Sequence, residues 1–344
     1  KKPLLLNNKS FSLNNIQGIT VKRKNNKTLL FFDQKKEKMF SIDEQKPLIV
    51  RSLDKRGIWV NGKRYSGLLK IINSNNQIFV VNILGIEKYL SSVVGSEMPY
   101  KWPLEALKAQ AIASRTYALK KTGNRIYDID STQKDQVYNG LESKTRKTTR
   151  AVNKTRSLVI LHNNKLINAL FHSSSAGMTE NSEEVWKNKY PYLVSVKDFD
   201  MNNPKLRWKK RFSRNELYNI FPSIGGVNRI QINQISNTGR LKNLRIYGDH
   251  GSKEILGTEL RKILGLKSTL FRFQFINQDL NKPNINSSSN LKNYLLISGL
   301  GAGHGVGMSQ WGAKKMAIQG YKSNEIIKYF YKGVKVKPFK NIYK

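Results

Sequence analysis

The segment from Pro103 to about Lys121 constrains the fold more than any other part of the chain. Leu104, Leu107, Ala111 and Ala118 make an apolar stripe at helical spacing, and Ala106, Ala109 and Ala113 keep its flanks small. Pro103 suits the first helical position, where its missing N–H has no partner to lose. Small flanks let neighbouring elements approach closely, so this helix is expected to be covered on more than one side. Such a helix needs a domain around it. The 344 residues suffice for one large domain or two moderate ones. A hydrophobic content of 39%, without dominant Gly or Pro, points to a folded chain rather than a disordered one.

Residues 1–85 read as mostly β. Short β-branched and aromatic runs (Ile19–Val21, Leu29–Phe32, Leu48–Val50, Ile58–Val60, Gln77–Leu84) are separated by Asn, Gly and Lys turns. Asn61-Gly62 is a two-residue hairpin signal. Ile86, Leu90 and Val93 then share one helix face over Ile86–Val94, and a tight Gly95–Pro99 segment follows. Lys144–Lys154 is basic with helical character, while Ser157–Leu161 and Leu166–His172 read as strands. Short helices are expected at Arg214–Phe221, with a Ser213/Glu216 capping box, and at Glu259–Leu264, with Thr258 as N-cap and Gly265 as stop. Residues 277–293 are polar and low in complexity, a surface loop or linker. A glycine-dense turn at Gly299–Gly307 precedes helices near Ser309–Gln319 and Ser323–Tyr331. The mixture of separated strands and helices predicts an α+β fold, β-rich at its N-terminus with a helix-containing core. The expected division is a β-rich segment over 1–60, a main domain over 61–335 and a C-terminal tail over 336–344.

Charge is the strongest compositional signal. Lys and Arg number 61 against 23 Asp and Glu, a net charge of +38. Such a field attracts polyanions: nucleic acid, anionic lipid headgroups or an acidic cell wall. A solvated Lys- and Asn-rich surface is the plainer reading. Cysteine is absent, which excludes disulfides and thiolate metal sites. No apolar run reaches the roughly 18 residues of a membrane span. The numbering opens Lys1-Lys2-Pro3 rather than with Met, which leaves room for a signal or anchor before residue 1.

Glu97 is the first candidate for chemistry. Val93, Val94, Gly95, Met98 and Trp102 surround it in sequence, in a turn closed by Pro99. A carboxyl in apolar surroundings has its ionised form disfavoured, which makes it a proton donor near neutrality. Spacing alone leaves a second reading open: a glutamate facing solvent at a helix terminus.

Three longer motifs bear on that choice. The run GIEKYLSSVVGSEMPYKWPLEALKAQAIASRTYALKK from Gly85, the stretch SSSAGMTENSEEVW with YPYLVSV after it, and GLGAGHGVGMSQWGAKKMAIQGY from Gly299 stand in this order. Together they resemble the stage II sporulation protein D (SpoIID/LytB-type) family, over roughly residues 60–335. The resemblance implies a lytic transglycosylase acting on peptide-stripped peptidoglycan glycan strands, or an amidase enhancer, since the family includes both. It carries the catalytic glutamate onto Glu97 in S-E-M-P, and groove residues onto Arg115 in A-S-R-T-Y, Thr179 in G-M-T and Tyr192 in Y-P-Y-L.

One essential carboxyl suits that chemistry. Ordinary glycosidases need a carboxylate pair, because the second group is the nucleophile or activates water. A lytic transglycosylase instead uses the C6 hydroxyl of the same N-acetylmuramic acid ring, giving a 1,6-anhydro product. A single group can protonate the glycosidic oxygen and then accept the C6 proton, with no cofactor and no metal. Arg115 lies eighteen residues after Glu97, five turns along the helix and back on a similar face, and reads as a groove residue or as half of a structural salt bridge. Thr179 and Tyr192 offer hydroxyls to sugar oxygens, or pack. His304 and Gln310 are further substrate-binding candidates, His304 also as an assisting base or a structural histidine. The glycines before them lack the Lys-Ser/Thr of a phosphate loop, and His172 beside Ser173–Ser175 lacks a spaced Asp for a serine triad. Some relatives bind zinc through Cys and His in the loop before Q-V-Y; here Asp130–Tyr138 holds neither residue, and no metal is expected.

The expected partners are therefore peptidoglycan glycan strands and a cell-wall amidase, in the periplasm or extracellular wall of the cell envelope. The positive charge then reads as retention at an anionic wall. No helix-turn-helix, RNP or zinc-finger pattern supports specific nucleic-acid binding.

Overall fold

The computed structural model describes residues 4–339, except 9–10, 17, 25–26, 33–35, 41, 44, 53, 55, 124–125 and 277–293. The expected loop at 277–293 thus lies outside the described residues. The architecture is α+β, as the sequence predicts. Two compact units emerge, residues 1–160 with 336–344, and residues 161–335.

In the first unit, strands β1 (Leu4–Asn8), β2 (Phe11–Ile16), β3 (Ile19–Lys24), β4 (Lys27–Phe32), β5 (Lys36–Phe40), β6 (Leu48–Ser52), β7 (Ile58–Val60), β8 (Lys63–Tyr65), β9 (Leu68–Ser74) and β10 (Gln77–Ile83) precede any helix. An antiparallel sheet runs in the order β10-β9-β6-β1-β2, with β3-β4-β5 as a meander and β7-β8 as a hairpin. Alternation selects the inward face: Leu48 and Val50, and Leu69 and Ile71, join Leu6, Ile42 and Ile58 in one buried cluster. β9 and β10 lie after residue 60 yet pair into the sheet of β6 and β1. The boundary expected at 60/61 therefore falls inside one sheet, whose ladder holds the two sides together. Asn61 and Gly62 have φ of 45° and 79°, the left-handed pair a tight hairpin needs, as predicted. Asn75-Asn76 turns β9 into β10 in the same way, with φ of 46° and 63°.

Helices α1 (Ile86–Glu97), α2 (Leu104–Lys121) and α3 (Arg146–Lys154) pack on one another. α2 is buried all round, through Ala106, Leu107, Ala109, Ala111, Ile112 and Ala113. Pro103 occupies its N-cap, one position before the expected first turn. α1 runs three residues beyond the expected Val94, so Gly95 and Glu97 are helical rather than part of a turn. Gly95 lets the helix pass close to the 3-10 turn Gly140–Ser143: a Cβ there would lie 1.9 Å from the Ser143 carbonyl oxygen. Thr145 caps α3 in a reciprocal box with Thr148. The division between units falls within β11 (Leu158–His162).

The second unit continues with β12 (Lys165–Leu166) and β13 (Phe171–His172), then α4 (Ser182–Val185), β14 (Arg207–Ser213), α5 (Arg214–Ile220), β15 (Arg229–Ile235), β16 (Leu241–Gly248), β17 (Gly251–Leu256), α6 (Gly257–Ile263), β18 (Phe271–Ile276), β19 (Tyr294–Leu300), β20 (Met308–Ser309), α7 (Gln310–Ile318) and α8 (Ser323–Phe330). The strand expected over Leu166–His172 is broken in two. Leu170 turns back onto the Asn168 carbonyl at 2.8 Å, and β13 leaves to pair in parallel with β20. Sheets β14-β19-β18 and β15-β16-β17 share a core of Trp208, Phe212, Leu244, Ile246, Leu295 and Ile297. The Ser213/Glu216 capping box forms as predicted. Thr258 does not cap α6: β17 runs straight into that helix, so its N-cap is Leu256 and Thr258 lies in the first turn. Gly265 stops α6 in the left-handed conformation, φ 58°. The expected tail is also corrected. Lys335–Pro338 form a final strand, β21, and the Phe339 N–H bonds the Ser157 carbonyl of the first unit at 2.9 Å.

Candidate active site around Glu97

α1 ends on Glu97 and presents it half-buried, with Met98 and Trp102 buried behind it and Pro99 and Tyr100 exposed beyond. A loop far along the chain meets it: the Val137 N–H donates to Glu97 Oε1 at 2.8 Å. Next to that contact the Asn139 N–H reaches Ser96 Oγ at 3.3 Å. The loop is held from several directions. Gln136, fully buried, donates to the Ser114 carbonyl on α2 and accepts the Tyr89 hydroxyl of α1 at 3.1 Å. Tyr138 donates to Asn82 Oδ1 on β10 at 2.7 Å. Asp135 accepts the Tyr117 hydroxyl at 2.6 Å and an ion pair from Lys121 at 3.0 Å. Burial pulls the Asp135 carboxyl up, but hydrogen bonds from Tyr117, the Asp130 N–H and Lys121 hold it below the usual range. Tyr89 is pushed well up by burial first and then by the nearby Glu97 charge, so its hydroxyl stays protonated. Glu97 is thus fixed by a backbone donor that two helices and a strand keep in register.

Arg115 takes the structural role of its two readings. α1 stops at Glu97 and α2 starts at Leu104, so no single helical period connects Glu97 to Arg115. Arg115 is fully buried and forks onto Glu87 in the first turn of α1, Nε to Oε1 at 3.0 Å and Nη2 to Oε2 at 2.7 Å. Its Nη1 also donates to the Leu158 carbonyl at 3.1 Å. With no exposed surface it cannot touch a glycan, and it clamps α1, α2 and β11 together.

The middle and C-terminal motifs come together within the second unit. β13 pairs with β20, Ser174 bridges Ala302, and Glu180 bridges Val306. The alternate glycines Gly301, Gly303, Gly305 and Gly307 all take positive φ, which lets this loop fold back on the serine run. Thr179 is 1% exposed and spends its hydroxyl on Val196, accepting its N–H at 2.8 Å and donating to its carbonyl. Tyr192, at 8%, accepts the Asn168 N–H through its hydroxyl at 3.1 Å and packs its ring between His162 and Tyr190. His304 accepts the Val306 N–H at Nδ1 (3.1 Å) and lies against His172 and Trp186. Burial pulls it down to about 4, aided by the Arg261 charge, while a bond to the Phe171 backbone opposes the shift. It is a neutral ring held by backbone groups. Gln310 is buried at the start of α7. Thr179 therefore serves the packing of its own unit, whereas His304 stays partly exposed and Tyr192 and Gln310 are largely covered.

Sequence reasoning missed the polar centre of this unit. Asp198 and Asp200 are buried carboxylates that accept Ser175 and Ser174 hydroxyls, the latter at 2.5 Å. Burial, then the neighbouring Asp200 charge, pushes Asp198 up to about 7. Arg240, almost fully buried, donates to the Ser175 carbonyl at 2.7 Å, and the buried Glu180 takes the Ser236 and Thr238 hydroxyls. Glu180 stands inside the middle motif, but Asp198, Asp200 and Arg240 lie outside the motifs, where lone acids and arginines carry no sequence signal for such a cluster.

Residues 74–162, which contain Glu97 and its clamps, match the family described as stage II sporulation protein. The stage II sporulation protein D of Bacillus subtilis is 33% identical over 277 residues, 74% of this chain and 75% of that protein. The chain belongs to the stage II sporulation protein D family. An uncharacterized protein of Brachyspira hyodysenteriae is 34% identical over 297 residues, 84% of this chain and 76% of the relative. The amidase enhancer of Bacillus subtilis is 31% identical over 298 residues, 71% of this chain but 39% of that longer protein. Residues 191–307 match a domain of unknown function (DUF8618).

Proposed function

We propose that the protein acts on the bacterial cell wall, cleaving peptidoglycan glycan strands by lytic transglycosylation with Glu97 as general acid and then base. The observation that carries this reading is the half-buried Glu97 carboxyl, anchored by the Val137 N–H at 2.8 Å in the part of the chain that matches the family. The two halves of the reaction ask opposite things of one group. Proton donation to the glycosidic oxygen needs the neutral acid, which the negative end of the α1 dipole favours. Accepting the C6 hydroxyl proton needs the carboxylate, which a backbone N–H donor stabilises. Glu97 has both neighbours at once.

The products decide the reaction class. Purified protein incubated with peptide-free glycan strands should release fragments ending in 1,6-anhydro-N-acetylmuramic acid, read by mass spectrometry. Reducing ends in place of anhydro ends would mean hydrolysis by a second carboxylate.

The similarity to an amidase enhancer favours one further reading, a protein that binds peptidoglycan and activates a cell-wall amidase without cutting glycan itself. Folded protein that yields no glycan fragments yet accelerates an amidase on intact sacculi would establish it. Either role places the chain in the envelope, in the periplasm or the extracellular wall.

A further inference from the structure

The loop after the Glu97 clamp leads into a feature that the glycan chemistry does not use. Leu141, Lys144, Thr145, Arg146, Thr149, Arg150, Asn153 and Lys154 line an open cavity of about 650 Å³ on one side of α3. Lys144, Arg146, Arg150 and Lys154 are exposed, and none has a carboxylate partner among the described residues; the nearby Glu142 is taken by Arg64 at 2.8 Å. Four cations without a carboxylate partner around one hollow leave a concentrated positive field that attracts an anion. Their order adds a length scale. Arg146, Arg150 and Lys154 follow at four-residue intervals, so at a rise of about 1.5 Å per residue their charges recur about every 6 Å along the axis. Asn153 stands among them as an uncharged hydrogen-bonding group, while the Thr149 hydroxyl donates to the Thr145 carbonyl at 2.8 Å.

We infer that this face of α3 binds a linear phosphodiester polyanion that carries no bases, such as a polyol-phosphate chain of the cell envelope. A phosphodiester chain with a three-carbon spacer repeats its charge over a comparable length, and each phosphate offers two oxygens to a guanidinium fork. Nucleic acid shares the phosphates, but single strands are held by stacking bases on aromatic rings, and the lining has none. Glu97 takes no part, so this site stands or falls independently of the cleavage reaction.

The test is binding of a synthetic oligo(glycerol phosphate), long enough to span α3, to the full chain across a salt series. Arg150→Gln with Lys154→Gln should weaken binding at least about tenfold and lower the slope of log K against log salt by about 1.5. Both positions are exposed on the helix surface, so the thermal midpoint should not move. Lys205→Gln with Lys209→Gln removes the same charge from exposed positions of the second unit and should leave affinity within about twofold. Equal losses in the two double variants would overturn the site in favour of a diffuse field. Tighter binding of poly(dT), of poly-glutamate or of phosphatidylglycerol vesicles at the same salt would overturn the ligand class.

Discussion

Glu97 and Glu87 lie ten residues apart on one helix and do opposite work. Glu87, in the first turn of α1, is locked to Arg115 and the Ser157 N–H. Glu97, in the last, accepts the Val137 N–H and remains partly exposed. The burial of Arg115 sets the expectation for its removal. Arg115→Ala strands the Glu87 carboxylate and the Leu158 carbonyl, so it should lower unfolding free energy by about 3–5 kcal/mol, read by denaturant titration. Arg115→Lys should recover little of this, because an ammonium cannot bond both carboxylate oxygens and the Leu158 carbonyl. Glycan affinity per folded molecule should be unchanged. Weaker binding at full stability would restore Arg115 to the groove. Motif recognition alone made Arg115 and Thr179 look like ligands, because a motif records which residue types recur and not which way they face.

Among the elements, the helices and hairpins that follow from local periodicity and turn chemistry were legible in the sequence: α2, α3, the Asn61-Gly62 hairpin and the Ser213/Glu216 cap all stand where composition puts them. Features set by distant partners were not. The Gly95 extension of α1 depends on Ser143, the broken strand after Leu166 on β20, and β21 on Ser157. The loop over 130–139 belongs to the same class, since its place at Glu97 is set by Tyr89, Ser114 and Tyr117. Asp135→Ala should loosen that loop and misplace Val137. Turnover should then drop by about ten- to a hundredfold while strand affinity holds, because small displacements of a catalytic group are expensive in rate. Unchanged turnover would show that the clamp is only structural. In the second unit, Asp198 offers a pH test. Its folded value, about 7, lies above the unfolded one, so the folded state holds an extra proton between about 4 and 7. Its contribution to stability is complete below pH 4 and lost as pH rises through 7. The thermal midpoint of wild type should therefore fall relative to Asp198→Asn between pH 4 and 7. A constant gap would mean that Asp198 ionises normally. The subtraction matters because His304, lowered to about 4, tilts the same window the other way.

Over the whole molecule, the +38 net charge and the family assignment point to the same surroundings. A protein carrying this field should bind anionic wall preparations in low salt and come off as screening shortens the range of attraction to a few ångström. Elution of most of the bound protein is expected by about 0.5 M salt. Retention in molar salt would show that short-range contacts hold it. Composition supplied the sign of this interaction, and the fold adds one place where cations without a carboxylate partner stand together, on α3. The fold also separates two kinds of polar cluster. Those of the second unit, from Asp198 to Arg240, are buried and internally satisfied in the main, whereas the Glu97 site opens outward.

Lytic transglycosylation by this chain requires Glu97 to carry a proton both to and from the sugar. Glu97→Gln keeps the side chain's size and loses only that ability. Wild type and this variant should bind peptide-free glycan strands with affinities within about threefold and melt together, while anhydro-ended fragments fall by about a thousandfold or more. Anhydro product from the variant at anything near the wild-type rate would contradict the mechanism outright.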